Sequence, residues 1–262
     1  MEDKIKNQAW NRSSLLILST FLLIIGLIAY IWWPLLKDYL ASYRSDVPFW
    51  LQIDWLLIIL FLVMSILIMT YANIKTDALL VVIALAGGYV IEFWGTQTGL
   101  WTYYTYERPP LWIIPAWPIA FLSVNRLVHY VTLLKLRNFN RLYFVLYWVT
   151  FPLFFVFLVF FSFITISNIL TISVIILCAF IIIINPDKHR AVLYFYLGSA
   201  LGYFLELWGT TRECWTYYTG GTPPLFTVFA HGFATVSIWL AFTLLTNTVK
   251  QLKRAKPLPN QR

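Results

Sequence analysis

Apolar residues run along this chain in long unbroken blocks, not in the alternation of a half-buried strand or the one-sided stripe of a surface helix. A helix rises about 1.5 Å per residue and the hydrocarbon core of a bilayer is about 30 Å thick, so about 20 apolar residues make one crossing. Eight blocks meet that length, near 14–36, 50–72, 78–97, 111–134, 142–163, 166–185, 190–210 and 224–247. The fifth and sixth form one tract broken only around Ser167 and Asn168, and merging them would leave seven crossings. The first block, Ser14 to Leu36, exceeds a signal-peptide core and is followed by Trp32-Trp33-Pro34 and Lys37, with no small-residue cleavage pattern, so it reads as a retained helix. The expected fold class is an all-α polytopic membrane protein.

Composition agrees. Of 262 residues, 60% are apolar, 19% aromatic and 11% charged, and mean hydropathy is +0.74. Soluble domains carry about 25% charge, so a water-soluble globule, a disordered chain and a disulfide scaffold are excluded. A net charge of +8 would point to nucleic acid in a soluble protein. Here it follows the membrane instead. Fourteen Lys and Arg fall in the N-terminus, the connections near 75, 135–141 and 188–190, and the C-terminus, against four in the other connections. The positive-inside rule then puts both termini in the cytoplasm of a cell-membrane protein, with membrane lipids and no nucleic acid as partners. Cys178 lies inside an apolar block and Cys214 in a polar connection, which argues against a structural pair.

The most specific pattern is an internal duplication. Gly88-Tyr-Val-Ile-Glu92-Phe-Trp94-Gly95-Thr96 recurs as Gly202-Tyr-Phe-Leu-Glu206-Leu-Trp208-Gly209-Thr210, and Trp101-Thr-Tyr-Tyr-Thr105 recurs as Trp215-Thr-Tyr-Tyr-Thr219. Pro109-Pro110-Leu111 returns as Pro223-Pro224-Leu225 at the same offset of 114, so 14 of the 24 positions from Gly88 to Leu111 are identical without a gap. Four blocks per half return the chain to its starting side, which predicts two parallel four-helix repeats related by a pseudo-twofold along the membrane normal. The expected divisions are an N-terminal tail at 1–13, repeats at 14–135 and 136–248, and a basic C-terminal tail at 249–262. Both Trp-Thr-Tyr-Tyr connections fall on the outer side, and the third and seventh blocks bring Glu92 and Glu206 close to that face and to the axis, if the halves pack through those blocks.

An ionisable group within a crossing costs about 2.5 to 3.5 kcal/mol on insertion scales and is a functional candidate by default. Glu92 and Glu206 lead. Two carboxylates in one apolar chamber can divide labour, one as acid and one as base; the plainer alternative is that they only hold helices together. Asp54, whose offset partner is Asn168, is a further catalytic candidate or an interfacial residue. His231, offset partner Trp117, lies in the outer third of the last block, where it relays a proton or packs. Arg126 and His129 sit deeper in the fourth block, where a snorkelling arginine is expected.

Aromatic residues crowd the duplicated segments: Trp94, Trp101, Tyr103, Tyr104, Trp112 and Trp117, then Trp208, Trp215, Tyr217 and Tyr218. Much of this is the expected interfacial belt; the functional alternative is a π-lined substrate pocket that stabilises a carbocation. Trp94 and Trp208, two residues past each glutamate, point to another helix face. There is no Asp-rich diphosphate motif, di-iron histidine spacing, Gly-rich phosphate loop or Gly-x-Ser-x-Gly. Metal-free, cofactor-independent acid–base chemistry on a hydrophobic substrate is what remains.

Glu92-x-x-Gly95-x-x-Thr98-Gly99, followed by Tyr103-Tyr104 and Pro115-x-Trp117, resembles the pattern of integral-membrane carotenoid hydratases of the bisanhydrobacterioruberin hydratase type. It is similar, more loosely, to the membrane lycopene cyclases. The resemblance covers about 30 residues in each half. It implies a long polyene isoprenoid lipid substrate and a reaction that begins by protonating a terminal double bond, with Glu92 and Glu206 as the matched acids. Pro115-Ala-Trp117 and Phe229-Ala-His231 carry no carboxylate where the cyclase pattern has Pro-x-Glu-Glu, and Arg212-Glu213 replaces Thr98-Gly99 in the second half. The expected function is hydration or cyclisation by a cofactor-independent enzyme. The competing expectation is a proton-coupled transporter or lipid carrier built from parallel repeats.

Overall fold

The computed structural model describes residues 10–134 and 140–255; the tail residues 1–9 and 256–262 and the basic connection 135–139 lie outside the described residues. Nine α-helices occur among the described residues: α1 Arg12–Ile31, α2 Trp33–Ala41, α3 Trp55–Met69, α4 Ile74–Thr98, α5 Ala116–Leu133, α6 Asn140–Ser162, α7 Ile169–Ile184, α8 Lys188–Thr211 and α9 Leu225–Ala255. Two short strands, β1 Trp101–Tyr103 and β2 Trp215–Tyr217, complete the chain. Five helices, α1, α4, α6, α8 and α9, are long and apolar enough to cross a membrane, and α3 and α7 are shorter apolar helices. Leu23, Phe160 and Ile183, each more than 70% exposed, show the outward apolar surface that a lipid solvent accepts.

Capping side chains set where the helices start. Asp54 begins α3, Asn73 begins α4, Asn168 begins α7 and Asp187 begins α8, each accepting a backbone N–H of the first turn. Asp54 and Asn168 are offset partners, as are Asn73 and Asp187, so capping is duplicated with the sequence. Asn168 also separates α6 from α7 in the apolar tract. The first block does not form one helix. It breaks at Trp32, and Pro34 sits in the first turn of α2, where its missing N–H has no intrahelical partner to lose.

The break marks an insertion. The Tyr104 hydroxyl donates to the Ile31 carbonyl that ends α1, and its offset partner Tyr218 donates to the Phe161 carbonyl near the end of α6. The acceptor precedes the tyrosine by 73 residues in the first half and by 57 in the second, so sixteen extra residues lie between α1 and α3. The excess falls in α2 and the 42–53 connection, which Gln52 clasps through the backbone of Arg44 and Val47.

The halves interlock. α4 packs on α9 and α8 on α5, the third helix of each sequence half against the fourth of the other. Glycine permits this approach: a Cβ on Gly87 would stand 3.3 Å from Ile238 of α9. Trp94 of α4 reaches α7, its indole N–H donating to Thr171 Oγ1 at 3.1 Å, while Trp208 of α8 donates to Asp54 Oδ2 at 2.9 Å.

Arg126 does not snorkel. It is buried in α5, and its Nη2 donates to Asp77 Oδ2 of α4 at 2.6 Å. The Asp77 carboxylate within reach gives the buried guanidinium the counter-charge it needs. Four of the residues expected in an interfacial belt are buried: Trp101 and Tyr103 where the strand folds inward over the helix end, and Trp94 and Trp112 beside them.

Candidate functional site

β1 and β2 pair antiparallel in the register Trp101↔Tyr217, Thr102↔Thr216 and Tyr103↔Trp215. Exchanging each residue for its offset partner returns the same pairing, so the ladder is symmetric about Thr102 and Thr216, whose hydroxyls lie 3.1 Å apart. Outside it, Tyr104 N donates to Cys214 O and Tyr218 N donates to Leu100 O, again an offset-related pair. The approach to the strands is duplicated as well. Gly99 and Glu213 both take positive φ, 72° and 55°, to end α4 and α8, and Tyr106 and Gly220 do so beyond the strands.

That turn sends each strand back over its own helix, which explains the Gly-x-x-x-Glu-x-x-Gly spacing. Positions i, i+4 and i+7 share one helix face. On α4, Gly95 lies under the Trp101 ring, where a Cβ would stand 1.9 Å from the indole, and Gly88 lies under Trp117, where it would stand 2.4 Å away. Gly209 and Gly202 make the same room for Trp215 and His231. Each glutamate therefore sits between two rings.

The rings bind the carboxylates. Trp101 Nε1 donates to Glu92 Oε2 at 3.0 Å and Trp117 Nε1 donates to Glu92 Oε1 at 3.1 Å. Trp215 Nε1 donates to Glu206 Oε2 at 2.9 Å, the Tyr217 hydroxyl donates to Glu206 Oε1 at 2.8 Å, and His231 Nε2 lies 2.8 Å from the same oxygen. Both glutamates are buried and line a single cavity of about 870 Å³, in the upper part of the range for small-molecule sites, about 300 to 1,000 Å³. Its walls are otherwise mostly apolar, among them Ile28, Leu60, Ile113 and Phe154. Burial, with the adjacent carboxylates adding to it, pushes the phenols of Tyr103 and Tyr217 well above their ordinary range, so both remain hydrogen-bond donors.

No family model, curated protein or solved structure matches this chain. The site is therefore read from its own geometry. Glu92, Glu206 and His231 come together with Trp101, Tyr103, Trp117, Trp215 and Tyr217 around one space. Asp54, Trp94 and Trp208 also line it, but their polar atoms are engaged between helices. Asp54 is an anchor: besides capping α3 and accepting from Trp208, it holds Arg212 by Nε at 2.9 Å and Nη2 at 3.0 Å. Tyr104 and Tyr218 are not among the lining residues; they fasten the strands to α1 and α6.

Three participants were not anticipated. Arg212 read as a departure from Thr98 and is the partner of Asp54. Trp32 at the helix break stacks on Trp208, centroids 5.1 Å apart and planes 13° from parallel, and meets Trp112 edge-on at 5.3 Å. Tyr39 of the insertion lines the cavity wall. The first had a sequence signal, since a cation replaced Thr98 in an otherwise duplicated motif; the other two lie in the segment that the duplication omits.

Proposed function

We propose that this chain is a membrane enzyme of eight crossings, built as two parallel four-helix repeats with both termini cytoplasmic, that performs cofactor-independent acid–base chemistry on an isoprenoid polyene lipid. The observation that carries the reading is the pair of glutamates, delivered from equivalent positions into one apolar cavity and each fixed by indole N–H groups. A carboxylic acid in such a chamber can protonate a terminal alkene, forming a C–H bond and a tertiary cation. Ring faces on the walls, among them Trp101, Trp215 and Tyr217, offer the quadrupole that stabilises a cation by about 0.5 to 2 kcal/mol. A positioned acid or base contributes about 10²- to 10⁴-fold. Capture of the cation by water is hydration; loss of a proton from an adjacent carbon, after ring closure, is cyclisation.

The cavity fits an elongated apolar substrate because it extends from the glutamates along α1 and into the insertion, through Ile25, Ala29, Leu35 and Tyr39. The test is a pigment profile by liquid chromatography and mass spectrometry from a lycopene-accumulating bacterium expressing the wild type, Glu92→Gln or Glu206→Gln. A product heavier by one water that both variants lose identifies a hydratase, and a new isomer of unchanged mass identifies a cyclase. Full turnover by both variants would refute the assignment.

A further inference from the structure

The two half-sites share a frame and differ in the groups that meet Oε1 of the glutamate. In each, a strand indole donates to Oε2 of the glutamate. On Oε1, Glu92 receives a second indole N–H from Trp117, whereas Glu206 faces the imidazole of His231 and the phenol of Tyr217. Trp117 and His231 are offset partners, each lies over the glycine of its own half, and they stack on one another. An indole N–H neither gains nor gives up a proton in water, while an imidazole does both near neutrality. Glu206 thus has an imidazole within hydrogen-bond reach; Glu92 has indole N–H donors. In an apolar cavity an unpaired carboxylate is expensive, and a cationic partner offsets part of that cost.

Resting on the acid–base reading above, we infer that the exchange of Trp117 for His231 divides the roles: Glu92 enters the reaction protonated as the acid, and Glu206 with His231 is the base. The Glu92 O–H bond breaks as the new C–H bond forms at the alkene terminus. In hydration, the oxygen of a water molecule bonds to the tertiary cation and the proton released goes to the Glu206 carboxylate. In cyclisation, the same carboxylate takes the proton from the carbon next to the cation as the new double bond forms. Return of that proton from Glu206 to Glu92 restores the site, and only water is consumed, or nothing. The other titratable groups facing the pair are the phenols of Tyr103 and Tyr217; Asp54 and Arg212, also on the cavity wall, bind one another.

Infrared spectroscopy of the full chain in lipid nanodiscs at neutral pH, without substrate, reads the roles through the carbonyl stretch of a protonated carboxyl group. Glu92→Gln is expected to lose a band that Glu206→Gln keeps. Trp117→His, which gives Glu92 the ring its twin has, is expected to remove that band with both glutamates in place. His231→Trp is expected to add a second band and to lower turnover about 100-fold or more. Persistence of the band in Glu92→Gln, or its loss in Glu206→Gln, overturns the division of roles, and the glutamate variants decide it even if a ring exchange fails to fold. The readout needs no substrate. Absence of product in the pigment assay sinks the enzymatic reading, whereas a wrong infrared pattern sinks only the assignment of acid and base.

Discussion

Trp117 and His231 occupy equivalent positions in the two halves and lie face to face, ring centroids 5.3 Å apart and planes 14° from parallel. Thr102 and Thr216, also offset partners, meet in the strand ladder, and Glu92 and Glu206 bind the two stacked rings, Glu92 through Trp117 and Glu206 through His231. The duplication thereby places two carboxylates in one chamber, and the exchange of indole for imidazole makes their surroundings unequal.

The glycines under the strand indoles are required for their lack of a Cβ. Gly95→Ala and Gly209→Ala place a methyl group about 2 Å from Trp101 and Trp215, and each is expected to cost about 1 to 3 kcal/mol and to abolish product by unseating the ring. Gly26→Ala meets nothing within 4 Å and is expected to be neutral or to stabilise by up to about 1 kcal/mol. Thermal unfolding followed by tryptophan fluorescence in detergent separates the three.

Glu213 holds a left-handed backbone conformation, φ 55°, that glycine holds at the equivalent position 99. For a residue with a Cβ this costs about 1 to 2 kcal/mol. Glu213→Gly is therefore expected to raise the unfolding midpoint and Gly99→Ala to lower it, with the pigment profile of Glu213→Gly unchanged.

Asp77 and Arg126 form a buried pair in which Asp77 Oδ1 and Arg126 Nε have no further partner among the described residues. Removing one member strands the other, so Asp77→Ala is expected to cost about 3 to 5 kcal/mol and to depress expression. Replacing both by leucine is expected to recover most of that loss. A double-mutant cycle on thermal stability checks it, and an equal loss in the single and double variants would contradict the pairing.

Asp54 caps α3 and ties it to α8 through Trp208 and Arg212. Asp54→Ala is expected to cost about 1 to 2 kcal/mol from the cap, with the Arg212 contact adding little because that side chain is 41% exposed. Product identity is expected to stay the same, in contrast to the glutamate variants, when stability and pigment profile are measured on the same preparations.

Alkaline titration tests burial of the strands. Tyr103 and Tyr217 are raised above the ordinary phenol value of 10.0, chiefly by desolvation. The folded chain therefore holds these protons more tightly than the unfolded chain, and the stability they contribute is complete below pH 10 and fades as pH rises toward the folded values. Ultraviolet absorbance is expected to show exposed tyrosines ionising first and these two only at higher pH or on unfolding. Burial also pushes the Cys214 thiol to about 12, so alkylation by iodoacetamide at pH 8.5 is expected to be slow until the protein is denatured.

Block length and hydropathy alone placed a helix in each of the eight apolar segments, because helix rise and bilayer thickness are fixed quantities. The offset of 114 located the glutamates, both glycine pairs and the strand aromatics, since a duplicated motif reports every residue whose surroundings are duplicated. It also held the pairing of Asp54 with Asn168, whose shared task, capping a helix, became visible only in the backbone. What the sequence could not contain is which ring meets which carboxylate. Trp101 and Trp215 turn inward from an expected interfacial belt because a left-handed residue after each helix reverses the chain, a backbone choice that Glu213 makes without glycine. The crossed packing of α4 on α9 and α8 on α5, the Asp77–Arg126 pair and the Trp117–His231 stack join residues from 49 positions apart, as in Asp77–Arg126, to 151 apart, as in Gly87–Ile238. Distances of that kind are set by how apolar surfaces interlock in three dimensions, and local pattern carries no record of them.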